Sequence, residues 1–319
     1  MRRNLPARPE IVFMGTPDFA VSSLNALLRD AHNVSCVVTQ PDRPKGRGRK
    51  MLPSPVKCCA LEADMDVLQP SRASDGRFCD LIREKSPDII IVVAFGQILK
   101  KELLEIPKWG VLNIHASLLP FYRGAAPIQW AVINNEKKTG LSAMKMDEGM
   151  DTGPVLQQQE VPIGKDDTAG DLHDRLAALS GDFLLRTLEG ISTGVLNESA
   201  QDDEKATYAP KIDRSVSRID WERPAEEISA LIRGLDPWPG AYTMVAGKQL
   251  KLFSPELPEH QTGCLCPGTV TGAPDGCLEI GAGSGNVRVR ELQVSGKKRL
   301  PAGDFMRGFP IKVGTRFET

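Results

Sequence analysis

The first half of the chain alternates short apolar runs with stretches whose apolar residues recur at helical spacing. Ile11 to Met14, Val34 to Thr39, Asp88 to Ala94, Val111 to His115 and Leu141 to Met146 are rich in β-branched or apolar residues. Each is bounded by Gly, Pro, Asp or Asn, which marks it as a strand. Between them, helical spacing predicts helices over Asp18 to Leu28, Val56 to Ala63 and Arg77 to Lys85. The alternation predicts an α/β, doubly wound, Rossmann-like domain whose parallel sheet is covered on both faces. Ligands of such sheets sit at the carboxyl ends of the strands, so residues just after Met14, Ala94, His115 and Met146 are where chemistry is expected.

A capping box, Thr168-Ala-Gly-Asp171, opens a long helix carrying Leu172, Leu176, Leu179, Phe183, Leu184, Leu188 and Ile191 on one stripe. This helix is expected to close the first domain, residues 1–196. Residues 197–215 are polar and Asp-rich and read as a linker. The remainder, 216–319, has a short helix around Ala225 to Leu235. Alternating strands follow at Leu250 to Phe253, Gly268 to Thr271, Leu278 to Ile280 and Val287 to Val294, and a small β-barrel is the natural closure for them.

Composition narrows the classes. At 319 residues, 41% apolar and 25% charged, the chain suits a two-domain globular protein. No apolar run approaches the ~20 residues of a spanning helix, and Met1-Arg-Arg-Asn-Leu-Pro6 lacks the apolar stretch of a secretory signal, so a cytoplasmic protein with no membrane partner is expected. Seven scattered cysteines read as free, mostly buried thiols. The four histidines form no ligand pattern, so metal-free chemistry is expected. A net charge of −1 gives no global field for nucleic acid, and any RNA must bind a local patch.

One such patch is the run Arg43 to Lys50, whose five basic residues are Arg43, Lys45, Arg47, Arg49 and Lys50. Pro44, Gly46 and Gly48 exclude a stable helix, and flexibility until a partner orders it is expected. A phosphate backbone suits it, against the alternative of a solvated surface loop. Lys297-Lys298-Arg299 is a second basic group, with RNA contact and plain surface equally open. The turn Met14-Gly-Thr-Pro-Asp18 lacks the Gly-x-Gly-x-x-Gly pattern and reads as a tight turn into a helix.

The candidate chemistry lies in two segments. In Leu112-Asn-Ile-His115, extended geometry puts Asn113 and His115 on one face at a strand's carboxyl end. In Met146-Asp-Glu-Gly-Met-Asp-Thr-Gly153, two glycines mark a turn that can swing a carboxylate back toward them. Taken singly, each has a plainer reading as a structural histidine or a turn.

Together the segments carry a resemblance. Asn113-x-His115, followed by Ser117-Leu-Leu-Pro-x-Tyr-Arg-Gly-Ala-Ala-Pro-Ile-Gln129 and by Met146-Asp-x-Gly-x-Asp-Thr-Gly153, resembles the methionyl-tRNA formyltransferase family of folate-dependent formyltransferases. The basic run after Thr39 and the Asp236-Pro-Trp-Pro-Gly240 segment are similar to that family's as well. The resemblance implies Asn113, His115 and Asp151 as catalytic residues. It implies a folate pocket lined by Ala94, Phe95, Gly96, Ser117, Leu118, Leu119 and Pro120, and a C-terminal OB-type barrel that helps hold tRNA. The implied activity is transfer of the formyl group of 10-formyltetrahydrofolate to methionyl initiator tRNA, giving N-formylmethionyl-tRNA, by a monomer.

Amine attack on a formamide-like carbon makes a tetrahedral oxyanion. Asn113 with a protonated His115 suits it as donors. Either His115 or Asp151 could take the amine proton. A formyltransferase acting on a small amine would share the trio without needing the basic run or the barrel. A non-catalytic RNA-binding protein would not need the trio.

Overall fold

A computed structural model describes residues 5–45, 50–258 and 266–318, which pack as two units. The first holds residues up to 127 together with 139–162 and 173–209, and the second holds 128–138, 163–172 and 210 onward.

In the first unit the elements run β1 (Glu10–Gly15), α1 (Phe19–Arg29), β2 (Asn33–Val38), β3 (Arg43–Lys45), β4 (Lys50–Leu52), α2 (Pro55–Glu62), β5 (Val67–Leu68), α3 (Gly76–Glu84), β6 (Ile89–Val93) and α4 (Lys101–Leu104). They continue with β7 (Gly110–His115), β8 (Arg123–Gly124), α5 (Pro127–Ile133), which after Pro127 belongs to the second unit, β9 (Lys138–Lys145), β10 (Val155–Pro162), α6 (Ala169–Ser192), whose residues up to Leu172 belong to the second unit, and β11 (Tyr208–Ala209). The main sheet has the order β10-β9-β7-β6-β1-β2-β5. Its five strands from β7 to β5 are parallel. Every residue of Ile89–Val93 is at most 5% exposed, as a central strand covered on both faces requires. One face packs Val12, Met14, Cys36, Val38, Ile90 and Val92 against Phe78 and Ile82 of α3.

The expectation of a parallel strand at Leu141 to Met146 is corrected: β9 runs antiparallel to β7, pairing Leu112 with Lys145 and His115 with Ser142. A buried strand run looks the same in either direction, so the pattern does not encode the orientation. The residue after β9, Met146, therefore lies beside Val111, to whose carbonyl its N–H donates at 2.8 Å, at the amino end of β7. The run Arg43 to Lys50 is described only at its ends. Its ends pair as the antiparallel arms β3 and β4. Arg47 and Arg49 lie outside the described residues.

Local chemistry sets the helix starts. Asp18 caps α1, and Ser54 caps α2 with Pro55 in its first turn. The capping box forms as predicted: Asp171 N–H donates to Thr168 Oγ1 at 3.1 Å, and Thr168 N–H donates to Asp171 at 2.9 Å. The expectation of mostly buried thiols holds for Cys36, Cys79 and Cys277 but not for exposed Cys58 and Cys266. Burial pushes the Cys36 thiol up to about 11.

The second unit adds α7 (Ala225–Gly234), β12 (Tyr242–Val245), β13 (Lys248–Glu256), β14 (Val270–Gly272), β15 (Leu278–Gly281), β16 (Asn286–Val294), β17 (Leu300–Pro301) and α8 (Ala302–Gly308). Antiparallel pairing in the order β12-β13-β16-β15-β14 curls the sheet into a half-barrel. Residues 314–318 bridge the two edges. Glu318 N–H donates to Met244 of β12 at 3.0 Å, and Val270 N–H of β14 donates to Thr315 at 2.9 Å. Trp221 fills the interior at 0% exposure and spends its indole N–H on Thr243 Oγ1 at 3.1 Å.

Candidate active site

The parallel strands end where three loops are tied together. Thr16 Oγ1, just past β1, donates to the Phe95 carbonyl at 2.9 Å. Gln40, just past β2, donates through Nε2 to the carbonyls of Phe95 at 3.0 Å and Gly96 at 2.8 Å. Arg43 Nη2 donates to Gln40 Oε1. These residues, with Ala94, wall a cleft of about 550 Å³. Nearby, Lys57 Nζ donates to both Asp42 oxygens and Gln69 Nε2 donates to Asp42 Oδ1, and these hydrogen bonds hold the Asp42 carboxyl below its usual range. Ala94, Phe95 and Gly96 thus border a cavity. Thr16 lies just after Met14, at a strand end where chemistry is expected, whereas Gln40 is a loop glutamine that carries no motif.

Asn113 and His115 project from one face of β7 at 8% and 6% exposure. His115 Nε2 lies 3.0 Å from the Tyr122 carbonyl oxygen. That oxygen can only accept, so Nε2 carries a proton, and in the neutral ring Nδ1 is the nitrogen with the lone pair. Nδ1 faces Asp151 Oδ2 at 3.8 Å, and Asn113 Nδ2 lies 3.5 Å from Asp151 Oδ1. Gly124 N–H donates to Asp151 Oδ2 at 2.8 Å. The structure therefore brings the three side chains together.

The carboxylate reaches them by a turn that doubles back after β9. Asp147 accepts from Gly149 N–H at 3.0 Å and Thr152 Oγ1 at 2.7 Å, which makes it a turn residue, while Glu148 is exposed. Gly153 passes so close to β9 that a Cβ there would stand 1.9 Å from the Lys145 carbonyl oxygen. Ala94, Tyr122 and Asp151 all have left-handed backbone, at φ 47°, 60° and 54°. Non-glycine residues keep that conformation only where surroundings fix it, and such positions cluster at functional sites.

Ser117 to Pro120 leave β7 as a tightly bonded loop. Ser117 is 0% exposed, its hydroxyl donating to the Phe121 carbonyl at 2.6 Å. Ser142 Oγ accepts from Leu119 N–H at 3.0 Å and donates to the Ser117 carbonyl at 2.6 Å. Leu119 is buried, and Leu118 and Pro120 are half-buried. Their hydrogen bonds define loop shape and leave the Ser117 hydroxyl committed.

Arg123, which lies within the Ser117 to Gln129 motif, and Gln201, to which no motif pointed, support the turn of Asp151. Arg123 is 2% exposed, and its guanidinium donates to Gln201 Oε1 and to Asp203. Gln201 in turn donates to the carbonyls of Asp151 and Gly153. In the second unit, Arg299 stacks on Phe253 and bonds Asp236 at 2.8 and 3.1 Å and also Glu291. Burial alone would lower the Arg299 guanidinium, but these partners raise it above its ordinary range. Of the basic group 297–299, Arg299 is thus a structural ion, while Lys297 and Lys298 are exposed. Among the described residues no cluster of three or more His, Cys, Asp or Glu could hold a metal ion.

Comparison with known proteins places this geometry. A family profile described as formyl transferase matches residues 9–188, and one described as formyl transferase, C-terminal domain, matches 211–310. A methionyl-tRNA formyltransferase of Geobacter metallireducens is 47% identical over 306 residues, 96% of this chain and 97% of its own. One of Pelotomaculum thermopropionicum is 48% identical over 304 residues, 95% and 97% of the two chains. Among solved structures, the methionyl-tRNA formyltransferase of Clostridium thermocellum aligns with a TM-score of 0.57 at 18% identity, over 79% of this chain and 95% of its own. WlaRD, a sugar 3N-formyl transferase crystallised with dTDP and 5-N-formyl-THF, aligns at 0.67 and 21% identity, over 91% and 99%. These structures share the fold.

Proposed function

Because the chain belongs to the formyl transferase family, we propose that Asn113, His115 and Asp151 carry the chemistry of the reaction it catalyses. That reaction moves the formyl group of 10-formyltetrahydrofolate to the free amino group of methionyl initiator tRNA, giving N-formylmethionyl-tRNA for translation initiation. Near full-length identity of 47 to 48% with methionyl-tRNA formyltransferases carries this assignment. A sugar-directed activity has only a fold-level likeness behind it.

In the proposed mechanism the amine attacks the formyl carbon and its proton passes to His115 Nδ1, the nitrogen that the Tyr122 carbonyl leaves unprotonated. The Asp151 carboxylate, 3.8 Å away, stabilises the imidazolium. Asn113 turns its amide from the long 3.5 Å contact with Asp151 to the oxyanion. As the tetrahedral intermediate collapses, the bond from the formyl carbon to the folate nitrogen breaks. His115 then returns the proton to that nitrogen, so one side chain serves as base and acid.

The formyl donor is placed against Ala94, Phe95 and Gly96, with the loop Ser117, Leu118, Leu119 and Pro120 shaping the pocket through its backbone. The aminoacyl end of the tRNA enters along the cleft walled by Arg43, and the basic run Arg43, Lys45, Arg47, Arg49 and Lys50 serves the tRNA phosphates. We assign residues 1–196 as the catalytic domain, 197–215 as the linker and 216–319 as the tRNA-binding domain. We further propose a cytoplasmic monomer. No helix among the described residues is long and apolar enough to cross a membrane.

Neutralising Arg43, Lys45, Arg47, Arg49 and Lys50 together is expected to raise KM for tRNA and to flatten its dependence on salt. Log affinity falls with log salt by ~0.7–0.9 per phosphate neutralised. An unchanged salt slope would remove these residues from the tRNA contact.

A further inference from the structure

The turn that carries Asp151 is held by a single side chain from a distant part of the chain. Gln201 Nε2 donates to the carbonyl oxygen of Asp151 at 2.8 Å and to that of Gly153 at 2.7 Å. Its Oε1 accepts from Arg123 Nε at 3.1 Å and from Arg123 Nη2 at 2.8 Å. A guanidinium only donates, and Arg123 is buried, so Oε1 must face Arg123 and Nε2 must face the turn. Arg123 is itself fixed, bonding Asp203 at 2.7 Å and pairing in β8 with Tyr208 of β11.

The same arginine leads by a second route to the same residue. Its neighbour Gly124 gives its N–H to the Asp151 carboxylate at 2.8 Å. Gly124 has φ 122° and lies where a Cβ would stand 2.8 Å from the Ala209 carbonyl oxygen, so β11 fixes the direction of that N–H. Asp151 is thus gripped at its carboxylate through Gly124 and at its backbone through Gln201, while its own backbone stays left-handed at φ 54°.

We propose that Gln201 is a positioning residue that sets the distance of the Asp151 carboxylate from His115 and Asn113. The proposal rests on the reading of Asp151 as part of the catalytic trio. Gln201 touches no reacting atom and acts through the Asp151 and Gly153 peptides.

The discriminating substitution is Gln201→Glu. A carboxylate keeps an acceptor for the buried Arg123 and adds an ion pair to it, so packing around the arginine persists. It offers no N–H to either carbonyl of the turn and faces them with negative charge. If Gln201 only satisfied Arg123, the variant would turn over like the parent. As a positioning residue it should lose roughly 10²-fold in kcat, the scale of a ~1 Å misplacement, with KM for tRNA and for folate unchanged. In an Asp151→Ala background, under single-turnover conditions, Gln201→Glu should cost nothing further.

Parental kcat in a folded Gln201→Glu protein, or full additivity with Asp151→Ala, would overturn the proposal. Should Gln201→Glu fail to fold, Gln201→Asn gives the same test. It keeps the amide chemistry but is one methylene too short to span Arg123 and the turn, so kcat should fall, and parental kcat would overturn the proposal. An Asp151→Ala enzyme with parental kcat would instead defeat the reading of Asp151 itself. An inactive Asp151→Ala beside a fully active Gln201→Glu would defeat only the role of Gln201.

Discussion

Replacing His115 by alanine, or Asp151 by asparagine, is expected to lower kcat by about 10²–10⁴-fold, the range for loss of a positioned acid–base group. Folate and tRNA binding should stay near parental. The expectation follows from how each side chain is tied. His115 spends Nε2 on the Tyr122 carbonyl, which leaves Nδ1 as the only ring nitrogen able to exchange a proton in the site. No neighbouring group among the described residues replaces it there. Asp151→Asn keeps an oxygen for the Gly124 N–H but removes the charge that faces Nδ1, so it tests charge with little change in shape. Single-turnover formyl transfer, paired with equilibrium binding of each substrate, separates chemistry from binding. Loss of the fold in either variant, seen as a collapsed thermal midpoint, would return that residue to a structural role.

The second large effect is expected at Gly153. An alanine Cβ would lie 1.9 Å from the Lys145 carbonyl oxygen, a backbone atom of β9 that cannot move without disrupting the ladder to β7. The turn 147–153 must yield instead, and with it the Asp151 carboxylate. A shift of about 1 Å in a catalytic group costs roughly 10²-fold in rate, so Gly153→Ala should lose at least that in kcat. The rest of the first unit should keep its cooperative unfolding. Parental activity in Gly153→Ala would show that the close approach at this position does not determine where Asp151 sits.

Much of this arrangement was legible in the residues. Buried β-branched runs located β1, β2, β6 and β7, and period-two geometry put Asn113 and His115 on one face of β7. The Thr168-x-x-Asp171 box marked the start of α6. Other parts were not legible, for physical reasons. An apolar run does not state the direction of its strand, so antiparallel β9 was missed. Strand β10 was missed because its middle, Gln157 to Glu160, is polar on both faces and reads as a loop. The Tyr122 carbonyl that fixes the His115 tautomer is a backbone group, to which a motif is blind.

Gln201 lies in a polar stretch whose composition reads as a linker. Its partners are 48 to 78 positions away, so only tertiary contact shows the connection. Arg299 illustrates the reverse case. A basic cluster suggested a nucleic-acid contact, yet Asp236 and Glu291 occupy its guanidinium. Charge runs read from sequence count side chains without knowing which are already paired.

The most direct test of the account is transfer of labelled formyl from 10-formyltetrahydrofolate to methionine-charged initiator tRNA, with glycinamide ribonucleotide and an amino-sugar nucleotide offered in parallel. The account predicts label on the tRNA and none on either small amine. Label on a small amine alone, or on no acceptor, would contradict it.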